Sequence, residues 1–82
     1  MDTDLRFWRD SQGNEVDLLF YHEGKPTAYE IKSGATFSPD FFSGLNKWAK
    51  LSGTPYSQLN VIYGGKNDLS TSNGNLRAWE KL

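Results

Sequence analysis

The distribution of apolar and polar positions along the chain divides it into short elements. Leu5–Asp10 is rich in aromatic and apolar residues and predicts a first strand. Glu15–Tyr21 predicts a second strand and Thr27–Lys32 a third. Ser11-Gln12-Gly13-Asn14 and His22-Glu23-Gly24-Lys25-Pro26 separate them with turn chemistry. The period then changes. Ser38 suits an N-cap, Pro39 a first helical position, and Asp40 the positive end of a helix dipole. Phe41, Leu45 and Trp48, with Phe42 and Ala49, recur at three- and four-residue spacing and predict one apolar helix stripe that ends at Gly53. Ser43, Asn46, Lys47 and Lys50 take the other side. Gly44 costs about 1 kcal/mol against Ala inside a helix and marks a close packing contact. Leu59–Tyr63 predicts a central, near-continuous apolar strand, Gly64–Asn75 is polar, and Leu76–Trp79 predicts a short last strand. The order is βββαβ(β), an α/β layer whose single helix leaves one sheet face uncovered.

Strand periodicity singles out four residues. Positions two apart in a strand share a face, so Glu30 and Lys32 point together. If the second hairpin closes with Tyr21 opposite Pro26, then Leu18 faces Tyr29, Phe20 faces Thr27, Val16 faces Ile31 and Asp17 faces Glu30. This register gathers the apolar residues on one face and the charges on the other, and a one-residue slip would mix them. Facing carboxylates repel. Lys32 offsets one of them, and a divalent cation would offset both. Asp17 and Glu30, with Glu15 as an additional acid, form a hard oxygen site suited to Mg²⁺ or Mn²⁺. Such an ion polarises phosphoryl oxygens and acidifies bound water, and Lys32 stands where it could orient that water. In the first hairpin the same arithmetic puts Trp8 opposite Asp17 and Arg9 on the other face, outside the site.

Composition narrows the classes. Eighty-two residues make one small domain, and 37% hydrophobic content with 15% aromatics provides a core. The absence of cysteine removes disulfides and thiolate zinc sites. No apolar run approaches the roughly 18–20 residues of a membrane span, and no signal peptide opens the chain. The expectation is a cytoplasmic domain without a membrane partner. The net charge of −1 is asymmetric: residues 1–40 carry −4 and residues 41–82 carry +3. That excludes a uniformly basic nucleic-acid binder and leaves an acidic centre beside a mildly basic flank.

An Asp on one strand and a Glu-x-Lys on the next resembles the PD-(D/E)xK phosphodiesterase superfamily, whose core is αβββαβ. Phe7–Leu19, containing Gly13-Asn14-Glu15-Val16-Asp17-Leu18-Leu19, followed by Glu30-Ile31-Lys32-Ser33-Gly34, is similar to the C-terminal domain of a large prokaryotic group of predicted ATPases. The similarity extends through Phe37–Leu51 and weakly to Ala78–Leu82. The resemblance implies a restriction-endonuclease-like mixed sheet, with Asp17 and Glu30 as metal carboxylates and Lys32 as the catalytic lysine. It also implies a DNA substrate and an N-terminal AAA-type ATPase domain in the parent protein. The first core helix of that superfamily is missing here, so the chain reads as a fragment truncated at its N-terminus. Gly64-Gly65-Lys66 is not a phosphate-binding ATPase loop.

Other residues have ordinary explanations. His22 falls in a predicted loop, exposed and non-ligating. Trp8, Trp48 and Trp79 have faces that could stack bases, with packing the commoner role. Lys47 and Lys50 fit a solvated helix face, and Ser33-Gly34 a strand exit. Two functional classes remain: a metal-dependent nuclease-like hydrolase, or a nuclease-derived interaction module that has lost turnover.

Overall fold

A computed structural model describes residues 3–13 and 15–81; Asn14 of the first predicted turn lies outside them. Six strands form one mixed sheet: β1 (Thr3–Arg9), β2 (Glu15–His22), β3 (Lys25–Ile31), β4 (Leu59–Tyr63), β5 (Leu69–Thr71) and β6 (Gly74–Ala78). Their spatial order is β1-β2-β3-β4-β6-β5. β3, β4 and β6 run parallel, and the remaining pairings are antiparallel. The carboxyl ends of the three parallel strands therefore lie along one edge of the sheet.

Among the described residues the single α-helix, α1 (Ser43–Ser52), connects β3 to β4. The predicted N-cap holds: Ser38 Oγ accepts from the Asp40 N–H at 3.3 Å. The first turn, Pro39–Phe42, is 3-10 and not α. Gly53 ends the helix in the left-handed region at φ 74°. Phe42, Leu45, Trp48 and Ala49 from this segment pack on Val16, Leu19, Ala28, Leu59, Val61 and Leu76 to form the core. Phe41 of the predicted stripe is only half-buried.

The β2–β3 hairpin keeps the predicted register from Tyr21 opposite Pro26 to Leu18 opposite Tyr29. Its two-residue turn is Glu23-Gly24, with φ of 53° and 78°. Both central residues at positive φ make a type I′ turn, which matches strand twist. The tightness of that turn lets β3 start at Lys25, two residues earlier than expected.

Three expectations are corrected. The β1–β2 register slips by one between Arg6 and Trp8, so Trp8 faces Val16 and not Asp17. Phe7 alone then stands opposite two β2 residues, Asp17 and Leu18: a β-bulge. Second, the face assigned to charge is the one that α1 covers. Leu19, Ala28, Val61 and Leu76 line it and Glu30 is buried among them, while Leu18, Phe20, Tyr29 and Ile31 stand half-buried or exposed on the opposite face. Phe20 and Tyr29 pack edge to face there at 5.5 Å. Third, the polar stretch Gly64–Asn75, where the sequence predicts no strand, contains β5, a three-residue edge strand paired with β6. A strand this short shows no usable alternation.

Candidate metal centre

The site lies where β2 begins and β3 ends. The bulge interrupts the regular ladder at Asp17, and the β2–β3 pairing ends at Leu18 opposite Tyr29. Beyond that point the strands part. The Asp17 carboxylate fills the gap, accepting the Ile31 main-chain N–H on Oδ2 at 2.9 Å. β3 meanwhile continues along β4, and the Lys32 N–H donates to the Ile62 carbonyl at 2.8 Å. Asp17 thus meets Glu30 through side chains, not as a facing ladder pair.

Glu15, Asp17 and Glu30 each present a carboxylate oxygen, all within 4.8 Å of one another. Their surroundings differ. Glu30 is 5% exposed, under the first turn of α1, whereas Asp17 is half-buried and Glu15 exposed. Burial above all pushes the Glu30 carboxyl up to about 8, and a hydrogen bond to Asp17 and that group's charge act in the same direction. Lys32 opposes them by Coulombic attraction. The protonated form of Glu30 is thereby favoured well above the usual carboxylate range.

Glu15 owes its position to Gly44. A Cβ at Gly44 would lie 2.7 Å from the Glu15 carbonyl oxygen, so only glycine admits this approach of helix to strand. The close contact expected from Gly44 is therefore present, and it brings the start of α1 to the acids. Glu15, Glu30, Lys32, Ser43 and Gly44 share a polar cavity of about 120 Å³. The Lys32 ammonium stands over the Phe41 ring, 5.8 Å from its centroid. A cation over an aromatic face is held by the ring quadrupole.

Asp17, Glu30, Lys32 and Glu15 are thus brought together as expected. Arg9, assigned to the other face, is instead paired with Glu15 at 3.3 Å, because the slipped register sets the two opposite each other. Phe41, expected only in the helix stripe, also supports the lysine. Its spacing in the helix carries no signal of that second role. The lone His22 is exposed at the hairpin end, 3.8 Å from Glu23. Of the tryptophans, Trp48 is buried and Trp8 half-buried against the core, while Trp79 is 69% exposed. Among the described residues no helix is long and apolar enough to cross a membrane.

Residues 1–80 match a family model described as Domain of unknown function (DUF4143). The chain belongs to this family. No curated protein matches this DUF4143 domain, and no solved structure does. Among its described residues, this chain folds as a mixed α/β sheet of six strands with one α-helix.

Proposed function

We propose that this DUF4143 domain is a metal-dependent phosphodiesterase of the nuclease type, acting on DNA. We read its core as restriction-endonuclease-like and its place in the parent protein as beside an ATPase domain. The observation that carries the reading is the convergence of three carboxylate oxygens within 4.8 Å at the strand ends.

The donor set fits a hard divalent cation. Three carboxylate oxygens this close together are the hard donors that Mg²⁺ or Mn²⁺ prefers. Asp17 and Glu30 would hold Mg²⁺ or Mn²⁺, with Glu15 as the third acid. When bound, the cation supplies polarisation of a phosphoryl oxygen and a more acidic water. The protein's own groups divide the remaining work. Glu30 would serve as a ligand in its deprotonated form, so its raised pKa would make binding depend on pH. Lys32, half-buried and backed by Phe41, orients the attacking water or offsets charge gathering on the phosphate. The test is cleavage of plasmid and single-stranded DNA in Mn²⁺ by the wild type, Asp17→Asn, Glu30→Gln and Lys32→Ala. Cleavage by the wild type alone supports the proposal. Equal cleavage by all four proteins, or by none, contradicts it.

One observation favours a second reading, an interaction module without turnover. The carboxylates already have protein partners: Asp17 accepts the Ile31 N–H and is hydrogen-bonded to Glu30, and Glu15 pairs with Arg9. In that case Asp17→Asn leaves every binding property unchanged.

A further inference from the structure

Beside the acidic cavity, at the carboxyl ends of β3 and β4, lies an open apolar cleft of about 230 Å³. Ile31, Ile62, Tyr63 and Trp79 line it, and Lys32 belongs to both the cleft and the cavity. The cleft is smaller than the roughly 300 Å³ at which pockets for drug-sized ligands begin, and it suits one flat ring system. Its Trp79 wall is exposed, and Ile31 is 52% exposed. An indole left this open beside a cation is what a nucleobase and its phosphate require.

Charge placement points the same way. Lys32 follows β3, Lys66 lies in the loop after β4, and Lys81 follows β6 by way of Trp79. Because those strands are parallel, all three lysines fall at the edge that carries the carboxylates. Lys66 and Lys81 are exposed, as is the one nearby acid on the same tail, Glu80. Asp68, in the loop with Lys66, is already engaged by Arg77 at 3.5 Å and by the Ala78 N–H at 2.7 Å.

We propose that this cleft holds one unpaired nucleobase of a single-stranded nucleic acid, stacked on Trp79, with the adjoining phosphate on Lys32 next to the acids. The inference rests on the phosphodiesterase reading and adds to it the class of strand that enters. A base paired within a duplex has no free face for the indole, so the cleft selects for unpaired strand.

The test measures binding of a labelled oligodeoxythymidylate by fluorescence anisotropy at low salt, with and without Mn²⁺. The proteins are the wild type, Trp79→Ala, Trp79→Phe and, as an exposed apolar control on the helix, Leu51→Ala. The expected result is a loss on the order of 5- to 100-fold for Trp79→Ala, the range that one stacked base accounts for. Trp79→Phe keeps most of the affinity, and Leu51→Ala keeps all of it. Equal affinity in Trp79→Ala and wild type overturns the proposal, as does absence of binding. So does equal affinity for a duplex with the same Trp79 dependence. A Trp79-dependent dimer in sedimentation that excludes the oligonucleotide overturns it too, since a second copy is then the occupant. The Mn²⁺ arm separates the two claims. If Mn²⁺ changes nothing while Trp79→Ala still weakens binding, the metal centre fails and the stacking site stands.

Discussion

The Asp17 carboxylate accepts the Ile31 main-chain N–H at 2.9 Å, at the point where β2 and β3 stop pairing. One side chain thereby closes the sheet and presents an acid to Glu30. Structural and chemical roles of Asp17 can be separated by substitution. Asn retains an acceptor for Ile31 and gains a donor for Glu30, so Asp17→Asn should unfold in urea within about 0.5 kcal/mol of the wild type. Ala retains neither, and Asp17→Ala should lose about 1–3 kcal/mol. Equal stabilities for the two variants would mean that the Ile31 contact carries no weight.

The raised Glu30 pKa makes stability depend on pH. Glu30 rises from 4.5 to about 8 on folding, so between those values the folded chain holds a proton that the unfolded chain has released. Its contribution to stability is complete below about 4.5 and is lost as pH rises through about 8. The unfolding free energy should fall with pH across this window, with a slope of at most about 1.4 kcal/mol per pH unit. Glu30→Gln should flatten that slope. An unchanged slope in the variant would place the titration elsewhere.

Helix propensity alone argues that Gly44→Ala stabilises the domain by about 1 kcal/mol. The 2.7 Å approach to the Glu15 carbonyl argues the opposite, because that neighbour is main chain and cannot rotate away. The expected outcome is net destabilisation of about 1–3 kcal/mol with weaker Mn²⁺ binding, as Glu15 is pushed off the cluster. Urea unfolding and a metal titration of the same variant check both halves.

A turn remote from the site gives an independent check on the hairpin. Glu23 occupies φ 53°, a region that costs a non-glycine residue with a β-carbon about 1 kcal/mol. Asn-Gly is the preferred type I′ pair. Glu23→Asn should raise stability by roughly 0.5–1 kcal/mol with metal binding unchanged. A loss of stability would contradict the turn type.

Much of this was legible in the chain. Pairing Tyr21 with Pro26 is enough to bring Asp17, Glu30 and Lys32 to one place, and a glycine at 44 within a helix signals a tight contact without naming its partner. The bulge was not legible, because Asp17 and Leu18 each tolerate either register. The unbulged register puts Arg9 on the other face, and only the bulge pairs it with Glu15. Nor did alternation say which face the helix covers. Leu18, Phe20, Tyr29 and Ile31 make as apolar a set as Leu19, Ala28, Val61 and Leu76, so the burial of Glu30 emerged only from packing.

The central claim is that Glu15, Asp17 and Glu30 form a cation site. The most direct test is a Mn²⁺ titration of the domain followed by NMR, repeated with Asp17→Asn. The account predicts selective broadening at Asp17, Glu30, Ile31 and Lys32, stronger as pH rises towards about 8 because the Glu30 proton must leave, and abolished in the variant. Uniform or absent broadening at millimolar metal, or the same broadening in Asp17→Asn, would contradict it.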